Sequence, residues 1–412
     1  MRKLIVIIIS LITAVTALCF VGYRSGAKKM TAKANFGQMT ATARNASDDE
    51  QDVEGSVEDL LGNLDLKGIQ GLLETLTSEQ LSIFGFSDIS DRLRAIAEGK
   101  FENDFGGIVG YVFALLGADV FEFLPMLIAC IAIVLAYNLI NSVKGNFASD
   151  SIERVVYFAT GTLAVSLVVG YFSTVLVYAV RFVTSIKTQI NVVSPVLITL
   201  MTAAGASASA GVYTPTIAAL GSGMTSVITY FAFPTLLMGL VFDIVGSVSS
   251  GIKLDKTAEF LRSVCKWFLG TAFFLFIAVI GVSGITASVR DGISVRAARF
   301  AVSKYVPVIG GYLSQGFDFV MAGNVLIKNA LGSSAVVLII LCAAPVISKL
   351  AIFTLTLKLT AAIAEPLGGD RFCGILTSIS KSSSMIAAVV IAMTFLYILF
   401  LSMIICTGNI GL

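Results

Sequence analysis

Apolar residues along this chain come in long blocks, and five of the blocks can cross a bilayer as single helices. They run over 121–143, 155–180, 267–289, 334–357 and 384–406, each above the roughly 20 residues that a hydrocarbon core demands. Two further stretches are less regular. Residues 193–220 contain Pro195, Pro215 and the small-residue run 203–211, while 225–247 carry Pro234 and Asp243. Proline and clustered glycine at membrane depth free backbone groups that only protein or trapped water can satisfy. These stretches are therefore expected to face other helices as interrupted or re-entrant segments, and their small side chains permit close approach.

Ahead of these blocks the pattern changes. Arg2 and Lys3 precede an apolar run over 4–21, after which Arg24, Lys28 and Lys29 restore polarity. Residues 1–22 thus have the layout of an export signal or a retained N-terminal anchor. Residues 23–54 are poor in large apolar side chains, include the acidic cluster Asp48, Asp49, Glu50 and Asp52, and read as a flexible linker. Over 55–120 a small extracytoplasmic helical domain is expected, because Leu60, Leu61, Leu64, Leu72, Leu73 and Leu76 recur at helical spacing. Thr77 and Gln80 have the spacing of a capping box for the next short helix. Such helices either pack on one another, the plainer reading, or offer a surface to an extracytoplasmic partner or the membrane interface. The multi-span domain occupies 121–412, and the expected fold is all-α: a polytopic helical membrane protein with a small helical N-terminal domain.

Composition supports the bilayer as main solvent, since 56% of the 412 residues are hydrophobic and 13% charged, a balance that a water-exposed surface hardly accommodates. The net charge of +2 argues for neither nucleic acid nor an acidic substrate as partner. Histidine is absent, which removes the usual catalytic base and the commonest zinc ligand. The six cysteines are scattered without C-x-x-C spacing and read as small apolar residues. With no phosphate loop, metal-ligand cluster or serine elbow in the sequence, no catalytic, cofactor or metal residues are assigned.

The polar residues within the apolar region are the candidates for function. In 289–300, a helix would place Arg296 and Arg299 three apart on one side, with Arg290 nearby. An amphipathic interfacial helix follows, its arginines on lipid headgroups, on helix-end carbonyls or on another subunit. Gln315, Asp318, Asn324 and Lys328 lie in the apolar stretch 306–331. Charges at membrane depth cost roughly 2.5–3.5 kcal/mol each, so they must pair or meet water. Asp318 and Lys328 are able to meet if the chain folds back at Gly316 or Gly323; a lined aqueous path is the functional alternative. Asp243, Glu365, Lys349 and Lys358 complete the set. Lys358 snorkels from a helix end, whereas Lys349, near the middle of its span, needs a carboxylate or a polar cavity. Around Ala364, Glu365, Pro366 and Gly368, proline halts one helix and glycine permits reversal. Basic segments on both sides of 267–289, one with Lys253, Lys256, Arg262 and Lys266, leave orientation unsettled.

Several of these phrases together resemble the stage III sporulation protein AE family. They are Val289-Arg290-Asp291-Gly292 through Arg296-Ala297-Ala298-Arg299-Phe300, then Tyr305-Val306-Pro307-Val308-Ile309-Gly310-Gly311, Leu326-Ile327-Lys328-Asn329 with Gly332, Glu365-Pro366-Leu367-Gly368-Gly369, and Gly408-Asn409-Ile410. The likeness covers 121 to the C-terminus, and 31–119 matches only in general character. It implies a multi-pass protein of the mother-cell membrane surrounding the forespore in an endospore-forming bacterium. It further implies a hetero-oligomeric assembly with other stage III sporulation membrane proteins and a separate ATPase subunit, forming a secretion-like channel that feeds the forespore. Arg290, Arg296 and Arg299 would then touch lipid or partners, and Asp243, Gln315, Asp318, Asn324, Lys328 and Lys349 would border an intramembrane polar path. The competing reading is a self-contained secondary transporter, with a midplane site built by broken segments around Pro195, Pro215 and Pro234.

Overall fold

The computed structural model describes residues 62, 64–97, 105–143, 150–248, 254–305, 310–366 and 370–407. The expected signal or anchor, the expected linker and the phrases at 306–309 and 408–410 lie outside these residues. Three short helices, α1 (Lys67–Leu73), α2 (Ser78–Phe84) and α3 (Ile89–Ala97), precede the long ones. Then come α4 (Phe105–Val143), α5 (Asp150–Ala203), α6 (Ser207–Ala218), α7 (Thr225–Val227), α8 (Phe233–Val248), α9 (Asp255–Tyr305), α10 (Gly310–Ala364) and α11 (Asp370–Cys406). No strand occurs among the described residues.

Among the described residues, six helical stretches are long and apolar enough to cross a membrane: Gly106–Ile140, Ala159–Ala203, Ser207–Gly246, Lys256–Gly281, Val320–Ala364 and Phe372–Cys406. The chain is an all-α, multi-pass membrane protein. The first span begins about four turns ahead of the boundary that the sequence pattern sets at 121, since α4 runs unbroken across position 120. The reason is that Phe105–Leu116 is itself apolar, and Asp119 and Glu122 do not stop a helix whose neighbours match their charge. Helices of 54 and 55 residues, α5 and α10, are on the order of 80 Å long and extend well beyond a hydrocarbon layer of about 30 Å.

The irregular stretch resolves into one break. On α5 the buried positions Phe172, Val175, Ala179, Phe182, Ile186, Ile190, Val193 and Leu197 recur every three or four residues, the seam of a helix packed along its whole length. Pro195 stays inside that helix, and Pro215 inside α6. The chain turns instead at Gly205, whose φ of 86° suits a residue without a Cβ. Gly205 N–H donates to the Thr202 carbonyl and Ala206 N–H to the Met201 carbonyl, at 3.0 and 2.9 Å, the two bonds of a Schellman ending. Beyond α6, the π-helical turns Ala219–Met224 and Ile228–Ala232 flank α7. Pro234 has no N–H for the carbonyl four residues back, and the wider winding just before it absorbs that deficit.

The core is the antiparallel pair α10 and α11. In the most apolar 18-residue stretch of each, 56% and 61% of residues are buried, against 17–39% for the other spans. Thr354 donates to Ser383 at 2.9 Å across this interface, and Gly332 lies against Ile405. Helix α4 runs beside α10 in the same direction and α5 against both. The Phe123 and Phe353 rings are 5.3 Å apart, Phe172 and Phe353 6.3 Å, and Phe123 and Tyr171 6.1 Å. Helices α8 and α9 form a hairpin on the outside, where the Phe231 and Phe268 rings meet at 4.5 Å.

The short N-terminal helices pack on the membrane helices as well as on one another. Ile69, Leu73, Phe84 and Ile89 close on Val193 of α5 and on Leu331, Ala335 and Leu338 of α10. The anticipated capping box forms: Thr77 N–H donates to Gln80 Oε1 at 2.9 Å, and Gln80 N–H to Thr77 Oγ1 at 3.3 Å. The same Gln80 reaches the Leu341 carbonyl of α10 through Nε2 at 2.9 Å, so one residue caps its own helix and ties it to the core.

A Cβ at Gly332 would stand 2.4 Å from Ile405 Cγ1. Gly332→Ala is expected to destabilise the bundle by about 1–3 kcal/mol through overpacking, seen as a lower thermal midpoint in detergent. Combined with Ile405→Ala, the loss should be smaller than the sum of the two single effects.

Candidate functional site

Charged residues on the membrane helices are collected into ion pairs and onto helix ends. Lys349, on α10, lies 2.5 Å from Glu122 Oε2 and 3.7 Å from Asp119 Oδ1, both on α4. Asp119 and Glu122 are three residues apart in a helix and so share a face. Ser348 Oγ is 2.5 Å from Asp119 Oδ2, and the Lys349 ammonium stands 4.8 Å from the centre of the Tyr178 ring on α5, within cation–π range. Of the two carboxylates beside this mid-span lysine, Glu122 belongs to the expected span 121–143, and Asp119 comes from the helix start that the apolar pattern leaves out of the membrane.

Asp243 on α8, 2% exposed, is held bidentately by Arg262 of α9, with the second contact at 3.3 Å. The fork of a guanidinium matches two carboxylate oxygens, and the pair staples the outer hairpin. The cytoplasm-or-outside competition of the Arg262 segment therefore rests on one basic residue fewer, because this one is spent on an internal carboxylate.

Two helix ends are closed by residues distant in sequence. Helix α6 has no cap from its own Ala206. Asp291 of α9, 3% exposed, accepts from Ala208 N–H at 2.8 Å and from Ser209 N–H at 3.1 Å. A carboxylate suits the positive end of a helix dipole and satisfies donors that no turn supplies. At the other pole, the fully buried Lys328 of α10 donates to the Ile405 carbonyl at 3.1 Å and to the Thr407 carbonyl, the negative end of α11. Tyr213 of α6 adds a hydroxyl contact to Thr407 Oγ1 at 3.1 Å. Nearby, Arg92 of α3, 1% exposed, donates to the Phe84 carbonyl and, through Nε at 3.1 Å, to Ser334 Oγ of α10. Desolvation pushes its pKa down to about 10, so it remains a cation at neutral pH and anchors the N-terminal helices by charge-assisted bonds.

Other candidates are placed as follows. Gln315 and Asp318 lie in α10, their side chains outside the described residues. Because α10 is continuous through Gly316 and Gly323, Asp318 and Lys328 are separated by about 15 Å of helix and do not pair. Asn324 is buried and donates to the Val320 carbonyl of its own helix at 2.9 Å. The arginine segment is the last part of α9, not a separate interfacial helix. Arg296 is exposed, as are Ile293 and Phe300, and the side chains of Arg290 and Arg299 lie outside the described residues. Lys358 and Glu365 are exposed, and α10 ends at Ala364, just before Pro366. Among the described residues no group of His, Cys, Asp and Glu is arranged to hold a metal.

Sequence pattern alone misses Asp119, Glu122, Arg92 and the capping role of Asp291. For the first two the signal was present, as two acids one turn apart inside an apolar run. For Asp291 it was the small-residue stretch, which requires an anion from elsewhere because it contains no carboxylate of its own.

Fold and ionic contacts together define a polytopic α-helical membrane protein whose buried ionic side chains are held by contacts between its own helices. The family profile of stage III sporulation protein AE matches residues 87–408, and the chain belongs to that family of sporulation proteins. It is 28% identical over 271 residues to the stage III sporulation protein AE of Bacillus subtilis (strain 168), covering 66% of this chain and 68% of the relative. No solved structure matches it.

Asp291→Ala is expected to lower stability by about 1–2 kcal/mol, the usual worth of a helix N-cap carboxylate. Thermal unfolding of the full-length protein in detergent checks it, and Asp291→Asn should recover part of the loss, because its amide oxygen still accepts one of the two N–H groups.

Proposed function

We propose that this protein is a membrane-embedded subunit of a secretion-like channel between mother cell and forespore, seated in the mother-cell membrane around the forespore and acting without chemistry of its own. Its family gives it a role in sporulation, and the observation that carries the finer reading is how the bundle disposes of its charges. Lys328 is taken up by the carbonyls that end α11, and the α10–α11 centre is filled by apolar packing. A central path through the single chain finds little room. The conduit is instead walled between this chain and other stage III sporulation membrane proteins, with lipid on the remaining faces.

The outer surface suits that arrangement. Helix α4 exposes Phe113, Phe121, Ile128 and Leu139, and α9 exposes Phe260, Trp267, Phe274 and Val279, faces that meet lipid or neighbouring helices. The exposed Arg296 lies beyond the apolar part of α9, where a cation meets headgroups or an acidic partner surface. No phosphate loop occurs in the sequence, so work done by the assembly draws on a separate ATPase subunit.

Arg296→Glu should insert normally but co-purify with clearly less of its membrane partners; recovery at wild-type yield would remove Arg296 from the interface. The purified chain alone in liposomes should show no solute uptake coupled to an ion gradient. Such uptake would establish the transporter reading instead.

A further inference from the structure

We propose that Asp119, Glu122, Ser348 and Lys349 form a proton-binding site within the membrane bundle, in which two carboxylates and one ammonium share a single exchangeable proton. The site lies inside two of the apolar spans, Gly106–Ile140 and Val320–Ala364. Around it α4 turns Val120, Phe121 and Leu124 outward, 45%, 75% and 41% exposed, the face expected against lipid. Fully ionised, the cluster would carry one uncompensated negative charge at that depth. Such a charge is costly in hydrocarbon, and two carboxylates facing one cation do not both ionise easily.

Among the described residues, the groups around the cluster offer no second cation. Glu122 comes from α4, Ser348 and Lys349 from α10 and the Tyr178 ring from α5. Arg181, one turn along α5 from Tyr178, is an exposed residue. A metal cation would have to displace the ammonium, which already occupies the space between the carboxylates, whereas a proton needs no space.

Geometry also says where the proton sits. Glu122, the closer partner of Lys349 at 2.5 Å, is its counter-ion, and its side chain is 45% exposed. Asp119 is 3.7 Å from the ammonium and its side chain only 7% exposed. Its Oδ2 lies 2.5 Å from Ser348 Oγ, a partner that accepts from a neutral carboxyl and donates to an ionised one. Binding adds a proton to an Asp119 oxygen, giving a neutral carboxyl beside a Glu122–Lys349 pair; release returns it to the aqueous phase, and only an O–H bond forms or breaks. The proton is held by the cluster as a whole. It changes the charge holding α4 against α10, so the packing of these two parallel helices responds to proton supply. The whole site is contained in this chain, and the inference does not rest on the channel reading.

Infrared difference spectroscopy of the full-length protein in lipid nanodiscs tests it. The wild type minus Asp119→Asn spectrum at neutral pH should contain one protonated-carboxyl C=O band that shifts in deuterium oxide. Glu122→Gln should lose the same band, since Asp119 then becomes the sole counter-ion of Lys349. Lys349→Met should raise it about twofold, because neither carboxylate keeps a cation. The near-isosteric Asp119→Asn and Glu122→Gln decide the matter even if Lys349→Met does not fold. The proposal is overturned if the wild type minus Asp119→Asn spectrum contains no such band, if Glu122→Gln retains it, or if the band follows sodium concentration at fixed pH.

Discussion

A group that would meet water in a soluble protein must be met by protein when it lies in lipid, and this constraint orders the whole bundle. It acts on side chains and backbone alike. Glu122 is matched by Lys349, Asp119 is met by Ser348 beside the same ammonium, and Asp243 is matched by Arg262. The uncapped N–H groups of α6 are matched by Asp291, and the last carbonyls of α11 by Lys328. Apart from the Asp243–Arg262 pair within one hairpin, each match joins residues more than seventy positions apart, so neutralisation and tertiary structure are one event. Once the ionic groups are taken up in this way, the apolar surface left over is free to face lipid, which is why large aromatics such as Phe121 and Trp267 stand exposed.

The two trans-capped helix ends show how a polar residue is retained at low cost. A buried lysine or aspartate alone carries a heavy desolvation penalty. Set against the end of a helix, each meets partial charge of the opposite sign and unpaired backbone groups at the same point, so one contact removes two penalties. Tyr213 completes the device on α11: its ring packs edge-on against Phe400 at 6.1 Å while its hydroxyl reaches Thr407. The break at Gly205 and the C-terminus of α11 are thereby tied through α6, with Asp291 at one end of that helix and Tyr213 in its body.

Much of this was legible in the sequence, and the parts that were not share a cause. Block lengths mark the spans because hydrocarbon thickness is a local requirement. Thr77 and Gln80 mark a helix start because a capping box is local too. The start of α4 was hidden because Asp119 looks like the edge of an aqueous domain until Lys349, more than two hundred residues later, is brought beside it. The prolines misdirected for the same reason: Pro195 and Pro215 suggest breaks, yet packing along α5 and α6 holds both in helices, while the actual turn falls at Gly205 within a run of small residues. Asp318 and Lys328 seemed able to meet only while the segment was free to fold back, and a continuous α10 removes that freedom.

The position of the N-terminal helices adds a further step. Had α1–α3 formed an independent domain, their apolar face would close on itself, and a single arginine would gain nothing from burial. Instead Ile69, Leu73 and Phe84 lean on α5 and α10, and Arg92 enters the seam with its guanidinium 3.9 Å from the centre of the Phe84 ring. That contact is worth more when desolvated, and Ser334 is able to receive the Nε–H because it lies on the buried face of α10. Gln80 grips the same helix about two turns further on, at Leu341, and the Ser348–Lys349 cluster follows after two turns more. One face of α10 therefore carries, in order, the anchor of the small helices and the junction with α4. A shift of α10 along its axis would load both at once, so the N-terminal helices are coupled mechanically to the membrane bundle.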